Sequence, residues 1–285
     1  MAARILDGRA LADHLREEVT LRAKRLHARG IDPRIAVTTV GQDAASTAYV
    51  RSIELAGARC GVDVAVETLA PDAAEEAVRE RLTAFGADPS IHGVILQQPL
   101  PLHLGIRRIA EAMPAHKDVD GANPVNLGRL AFATGTAFVP ATPMAVLLLL
   151  EKSARWPLRG VRCCVVGRSN VVGLPVALLL MARDATVTLT HRETRDLAHH
   201  TRDAEVIVVA AGVPGLLRAA MVTPGATVID VGTTYVHGRL RGDVEYREVA
   251  AVAAEITPVP GGVGPVTNVA LMRNVVLAAE RLSLL

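Results

Sequence analysis

The chain has 285 residues, of which 50% are hydrophobic and only 2% aromatic, and its formal net charge is +2. The length allows two domains. The near-balance of charge, without a long run of either sign, excludes the electrostatic footprint of a nucleic-acid binder or of a protein held on an anionic membrane surface. The most apolar run, Ala145-Val-Leu-Leu-Leu-Leu150, is too short to span a bilayer, and the N-terminus has no apolar signal segment, so the cytoplasm is the expected compartment. The three cysteines, Cys60 and the adjacent pair Cys163 and Cys164, have neither a disulfide framework nor metal-ligand spacing and are expected as reduced, packed thiols.

After Leu6-Asp7-Gly8, Leu11, Leu15, Val19 and Leu26 recur at helical spacing, which predicts a long helix to about Arg29, ended by Gly30. A β-rich run predicts a strand over 34–40, and the turn at 41–46 ends in Ser46, which would cap a helix over 47–59. A strand over 62–69, a helix over 71–85 and a strand over 93–98, stopped by Pro99 and Pro101, follow. This regular alternation predicts a mostly parallel sheet. From 113 to 140 the pattern lapses into a loop-rich stretch holding Lys117-Asp-Val-Asp-Gly-Ala-Asn-Pro-Val-Asn126, and long polar loops in compact enzymes often carry function. Thr142-Pro143 then reads as an N-cap with Pro in the first helical position, opening a helix to Lys152, and the domain boundary is placed near Pro140.

The second half is organised around Arg162-Cys-Cys-Val-Val-Gly-Arg-Ser-Asn-Val-Val-Gly-Leu-Pro175. Residues 163–166 have the apolar run of a central parallel strand, the turn carries Gly167, Ser169 and Gly173, and 176–181 continue as helix. Such a turn opens a dinucleotide site: Gly167 permits a tight turn, Gly173 permits close helix-on-strand packing, and the helix N-terminus attracts a pyrophosphate. By spacing alone a strand-turn-helix without a ligand stays open as the alternative, because the pattern is G-x-S-x-x-x-G rather than G-x-G-x-x-G. Strands over 185–190, 205–211 and 226–231 complete a doubly wound half, and Thr267 would cap a last helix over 268–282. The expected fold class is therefore α/β with two domains. Residues 1–140 and 268–285 would form an N-terminal α/β domain onto which the C-terminal helix packs back, and 141–267 a Rossmann-like nucleotide-binding domain.

Several segments, in order and over nearly the whole chain, resemble the methylenetetrahydrofolate dehydrogenase/methenyltetrahydrofolate cyclohydrolase family. They are Tyr49-Val50 after Gly41-Gln-Asp43, Gly93-Val-Ile-Leu-Gln-Gln-Pro-Leu-Pro101, Lys117-Asp-Val-Asp-Gly121, and Gly167-Arg-Ser169 with Val172-Gly173. Gly225-Ala-Thr-Val-Ile-Asp-Val-Gly232 and the most distinctive segment, Thr257-Pro-Val-Pro-Gly-Gly-Val-Gly-Pro265, complete the match. The resemblance implies oxidation of 5,10-methylenetetrahydrofolate with a nicotinamide cofactor and, in bifunctional members, hydrolysis of the methenyl product. It implies a tetrahydrofolate derivative in the cleft between domains, with Tyr49 stacked on its aminobenzoyl ring, Gln97 beside the reacting carbon, Asp120 accepting from the pterin edge, and Leu100, Pro260 and Gly261 lining the pocket. Tyr49 as an ordinary half-buried aromatic, Gln97 as a strand cap and Asp120-Gly121 as a plain turn are the alternatives that residue type alone leaves open.

The cofactor residues by position are Thr142, Gly167, Arg168, Ser169, Gly173, Arg192 and Thr233. Arg168 and Arg192, with His191 rather than an acid at the end of the second strand, favour a 2′-phosphate and hence NADP over NAD, although Glu193 could hold Arg192 in an ion pair. A homodimer is expected from the family, and no metal is.

One departure is large. Where the family has a lysine four residues beyond the tyrosine, this chain has Ile53. One helical turn from Tyr49, it would share the tyrosine's pocket, or else form a core face with Val50 and Ala56. Isoleucine cannot act as a base or orient water, so the hydrolytic step is expected to be weak or absent while hydride transfer survives. Ala122, Asn123, Ala141 and Ala145 also depart from the family pattern. A dehydrogenase for another cyclic amine or folate variant, and a non-catalytic NADP- or folate-binding paralogue, are the competing readings.

Overall fold

The computed structural model describes residues 3–41, 44–236 and 238–284, so Gln42 and Asp43 of the expected first turn lie outside the described residues. The elements begin with β1 (Arg4–Ile5), α1 (Gly8–His27), β2 (Arg34–Val40), α2 (Ala44–Cys60), β3 (Asp63–Leu69), α3 (Glu75–Ala87) and β4 (Gly93–Leu96). They continue with α4 (Ile106–Ala110), α5 (Pro124–Ala131), α6 (Ala141–Leu150), β5 (Arg162–Val166), α7 (Gly173–Met181), β6 (Thr186–Thr190), α8 (Leu197–Arg202) and β7 (Val206–Val209). β8 (Thr227–Asp230), β9 (Thr234–Val236), β10 (Arg239–Arg241), α9 (Tyr246–Val249), β11 (Glu255–Ile256) and α10 (Val263–Leu282) complete the chain.

Two compact units emerge, Met1–Asp13 with Thr142–Thr267, and His14–Ala141 with Asn268–Leu285. The chain divides close to Pro140, and 268–285 group with the His14–Ala141 part. β1 pairs in parallel with β11, which places it in the unit that holds Thr142–Thr267.

In the His14–Ala141 unit the parallel sheet has the order β3-β2-β4. β2 is buried at every residue but Arg34, as a central strand covered on both faces should be. α3 buries Val78, Leu82 and Phe85, one turn apart, in a cluster with Ala36, Val40, Val94 and Leu96. From α10, the buried Asn274 amide donates to the Val119 and Val139 carbonyls, both at 2.8 Å, which satisfies two loop carbonyls inside the core.

The other unit holds a six-stranded parallel sheet, β1-β11-β8-β7-β5-β6, and an antiparallel β9-β10 hairpin. From β5 the chain moves outward to β6, then returns past β5 to β7. The C-terminal ends of β5 and β7 therefore bound a topological switch point, the crevice in which open α/β sheets place their ligands.

Some helix starts differ from expectation. α2 begins at Ala44, so Ser46 lies buried inside it and not at its cap. α6 takes in Thr142, and α10 starts at Val263, where the Thr267 hydroxyl donates back to the Val263 carbonyl at 3.2 Å. The loop-rich stretch contains α5, capped by the Asn123 side chain, which accepts from the Val125 amide, with Pro124 in the first turn. The three cysteines are buried free thiols, pushed up by burial to about 11 for Cys60 and Cys164 and about 12 for Cys163.

Candidate functional site

The turn after β5 is built for close backbone approach. Gly167 has φ +111°, and a Cβ there would stand 2.1 Å from the Ala210 carbonyl oxygen. A Cβ on Gly173 would stand 1.9 Å from the Gly167 carbonyl oxygen. Both positions therefore require glycine, the first for conformation and contact, the second for contact. The Ser169 hydroxyl accepts from the Val172 and Gly173 amides at 3.2 and 3.4 Å, so this side chain fixes the turn's shape up to the start of α7. The Gly167 amide donates to the Thr190 carbonyl at 3.0 Å, which ties the turn to the end of β6.

Just past that strand end, Arg192 is exposed and paired with the exposed Glu193 at 3.1 Å. Arg168 is exposed too, and among the described residues no carboxylate pairs with it. Thr233 is exposed directly after Gly232, and Thr142 is half-buried in the first turn of α6. A cradle that two missing side chains leave open, beside two arginines, suits a phosphate-bearing dinucleotide. Gly261 belongs to this same unit. It has φ +113° and is buried, its carbonyl accepts from the Gly8 amide at 2.9 Å, and Pro260 next to it is exposed.

In the His14–Ala141 unit the residues after β4 and α2 form the second constellation. Tyr49 is half-buried on α2, and burial, with the Asp120 charge adding to it, pushes its hydroxyl well above the usual tyrosine range. Asp120 is itself pushed up to about 7 by burial, opposed by the Ala141 amide that donates to its Oδ1 at 3.1 Å. The residue keeps some exposed area, so the shift reflects a carboxyl recessed from water rather than one sealed in the core. Gln97 follows β4, half-buried, its amide nitrogen donating to the Gln98 carbonyl at 2.5 Å and its backbone amide to the Thr38 carbonyl at 2.8 Å. Leu100 is half-buried beyond it.

The two acids of Lys117-Asp-Val-Asp120 do different work. Asp118 is fully buried and accepts from the Ala122 and Asn123 amides at 3.0 and 2.8 Å and from the Asn126 side chain at 2.9 Å. It holds the loop, which leaves Asp120 as the acid facing outward. Lys117 is buried and donates to the Asp88 carbonyl at 2.6 Å, so it is committed to structure. Sequence reasoning missed this division, because strand periodicity puts residues two apart on the same side, and it is the turn following Asp118 that parts the two acids.

Residues 6–120 match the catalytic domain of tetrahydrofolate dehydrogenase/cyclohydrolase, and residues 140–283 match its NAD(P)-binding domain. The chain belongs to the tetrahydrofolate dehydrogenase/cyclohydrolase family. The bifunctional protein FolD of Parafrankia sp. (strain EAN1pec) is 49% identical over 276 residues, 97% of this chain and 99% of that one. The bifunctional enzyme from Campylobacter jejuni has a similar crystal structure, with a TM-score of 0.94 and 38% identity over 98% of this chain and 99% of that one. The Trypanosoma brucei dehydrogenase-cyclohydrolase, solved with NADP and an inhibitor, has a TM-score of 0.93 and 37% identity over 99% of this chain and 98% of that one. The chain is thus an enzyme of this family, with the family's two-domain α/β fold.

Within the tetrahydrofolate dehydrogenase/cyclohydrolase family, the residues read above as departures from its pattern pack in two ways in this chain. Asn123 and Ala141 are absorbed locally: Asn123 is buried and donates to the Met113 carbonyl at 2.7 Å, and Ala141 uses only its backbone to hold Asp120. Ile53 is different. It is 0% exposed and lies with Ala56 and Cys60 on the buried stripe of α2, while Val50 of the expected core face is half-buried.

Proposed function

We propose that this protein transfers hydride from 5,10-methylenetetrahydrofolate to NADP and has lost most or all of the hydrolytic activity on the methenyl product. The observation that carries the second half is Ile53, a fully enclosed hydrocarbon where the family has an amine. The first half is supported by family membership and by the glycine cradle beside Arg168 and Arg192. When bound, NADP supplies the hydride acceptor. The protein's own groups then have mainly to bind, orient and exclude water, because the lone pair of the folate nitrogen next to the reacting carbon expels hydride from that carbon and stabilises the cation formed.

In this reading Gly167 and Gly173 admit the pyrophosphate, Arg168 and Arg192 take the 2′-phosphate, and Thr142 and Thr233 stand toward the nicotinamide. Tyr49, Gln97, Leu100 and Asp120 receive the folate. The Arg192–Glu193 pair does not oppose this, since an exposed ion pair is worth about 0–1 kcal/mol and yields to a phosphate dianion. The assay is reduction of NADP, compared with NAD, on adding 5,10-methylenetetrahydrofolate to purified protein; no reduction of either would refute the dehydrogenase. Arg192→Gln should weaken NADP by roughly tenfold and leave NAD little changed, in line with about 1.5 kcal/mol for a charge-assisted contact. The family resemblance also carries a homodimer, read by sedimentation, and a cytoplasmic location.

Asp120 adds a pH dependence. With its folded pKa raised from 3.8 to about 7, the carboxyl is neutral below that value and ionised above it. An ionised carboxylate accepts on both oxygens, as the pterin amide and amine edge requires, so KM for the folate should fall as pH rises from about 6 to 8. In Asp120→Asn this slope should vanish. The sign for folding is opposite: a raised carboxyl pKa stabilises the fold at low pH, and that contribution is lost as pH rises toward about 7.

A further inference from the structure

The turn after β7 is held by a carboxylate that reaches it from another loop of the same unit. Asp243, just past β10, is 0% exposed, and its Oδ2 accepts from the Ala211 and Gly212 amides at 2.7 and 2.8 Å. Its Oδ1 is also buried, without a hydrogen-bond partner among the described residues. A second buried acid, Asp230 at the end of β8, anchors the first. Asp230 Oδ1 accepts from the Gly232 and Asp243 amides, each at 2.9 Å, and Oδ2 accepts from the Val244 amide at 3.1 Å. The packing leaves no slack: a Cβ on Gly232 would lie 2.5 Å from Asp243 Oδ1, and one on Gly242 would lie 1.9 Å from Asp230 Oδ2.

Stability alone is a poor reason for this arrangement, because a buried carboxylate next to a second buried carboxylate is unfavourable. Its position offers a better one. Ala211 and Gly212 sit at the C-terminal end of β7, and a Cβ on Gly167 would touch the Ala210 carbonyl, so this turn and the glycine turn are the two walls of the switch-point crevice. Asp230 meanwhile fixes Gly232, the residue before Thr233.

We propose that Asp243 is a cofactor-positioning residue: anchored by Asp230, it sets the Ala211 and Gly212 turn as the crevice wall opposite Gly167 and so determines affinity for the nicotinamide dinucleotide. The proposal rests on the reading of this unit as the NADP site. Asp243 does not touch the cofactor; it acts through two backbone amides. Burial raises the pKa of both acids, Asp230 to about 7, which agrees with a pair whose charge is hard to accommodate.

The test is NADP binding by the full-length protein, measured by titration calorimetry, with KM for each substrate, kcat and thermal midpoint alongside. Wild type should bind NADP; if it does not, the cofactor reading itself fails. Asp243→Ala should weaken NADP by about tenfold or more, the loss of two charge-assisted amide contacts, with KM for the folate within about twofold. Asp243→Asn, which keeps an acceptor for the amides, should recover most of that loss. Gly212→Ala supplies a second reading should Asp243→Ala not fold: φ is +69° and a Cβ meets nothing within 4 Å, so it strains the turn without touching either acid. It should raise KM for NADP and not for the folate. Unchanged NADP affinity in folded Asp243→Ala and in Gly212→Ala, or equal rises in both KM values tracking the thermal midpoint, would overturn the proposal in favour of a purely structural role.

Discussion

Methenyltetrahydrofolate is expected to decay in the presence of this protein no faster than in an enzyme-free control, and Ile53→Lys is expected to accelerate that decay by about 10²-fold, the lower range for a positioned acid-base group. Ile53 lies one helical turn from Tyr49, whose hydroxyl feels the Asp120 charge, so a lysine at this position on α2 is one turn from an acidic neighbourhood. The ammonium has to enter a space that is 0% exposed in the native chain, which costs stability unless the acid compensates. A lower thermal midpoint should therefore accompany the gain, and Asp120 should titrate below 7 in the variant. Rapid hydrolysis by the native chain would sink the monofunctional reading. No gain in Ile53→Lys would mean that the pocket has diverged beyond that one residue.

Gly173→Ala should remove NADP binding. The new methyl carbon would be placed 1.9 Å from the Gly167 carbonyl oxygen, and a backbone oxygen cannot rotate away as a side chain can. Either α7 moves off β5 or the Gly167 turn opens, and in both cases the cradle is lost. Overpacking of this kind costs about 3 kcal/mol or more, which is over a hundredfold in affinity when it acts on the bound conformation. Calorimetric titration with NADP reads it directly. Gly225→Ala is the matched control: φ is +88° but a Cβ there meets nothing within 4 Å, so it should cost about 1 kcal/mol of stability and leave NADP binding intact. Equal binding in Gly173→Ala and wild type would show that the turn does not carry the cofactor.

The alternation of strands and helices, the glycine turn and the family were all legible in the chain, because each depends on local pattern. The run 163–166 is apolar because a central parallel strand is covered on both faces, and β5 forms there. The run 34–40 behaves the same way as β2. Ile53 drew notice only through the family resemblance, since nothing in its own spacing marks an isoleucine on a helix as unusual.

What depended on tertiary structure were the assignments that need a partner distant in the chain. β1 and β11 are two residues long and carry no periodicity; they are strands only because each is paired in parallel with a neighbour, Arg4 opposite Glu255 and Glu255 opposite Thr227. The side-chain caps expected at Thr142 and Thr267 did not form, because tertiary packing started both helices earlier than local capping preference did. The roles of Asp118 and Asp120, identical in kind and two residues apart, were separated by how many donors each found: Asp118 accepts from two amides and the Asn126 side chain, Asp120 from the Ala141 amide alone. Asp243 is an ordinary acid after a glycine until the fold brings Ala211 and Gly212, more than thirty positions earlier, within hydrogen-bond reach. Backbone propensity and hydrophobic period are properties of neighbouring residues and can be read along the chain, whereas the burial of a charge and the identity of its donors exist only once distant segments are packed together.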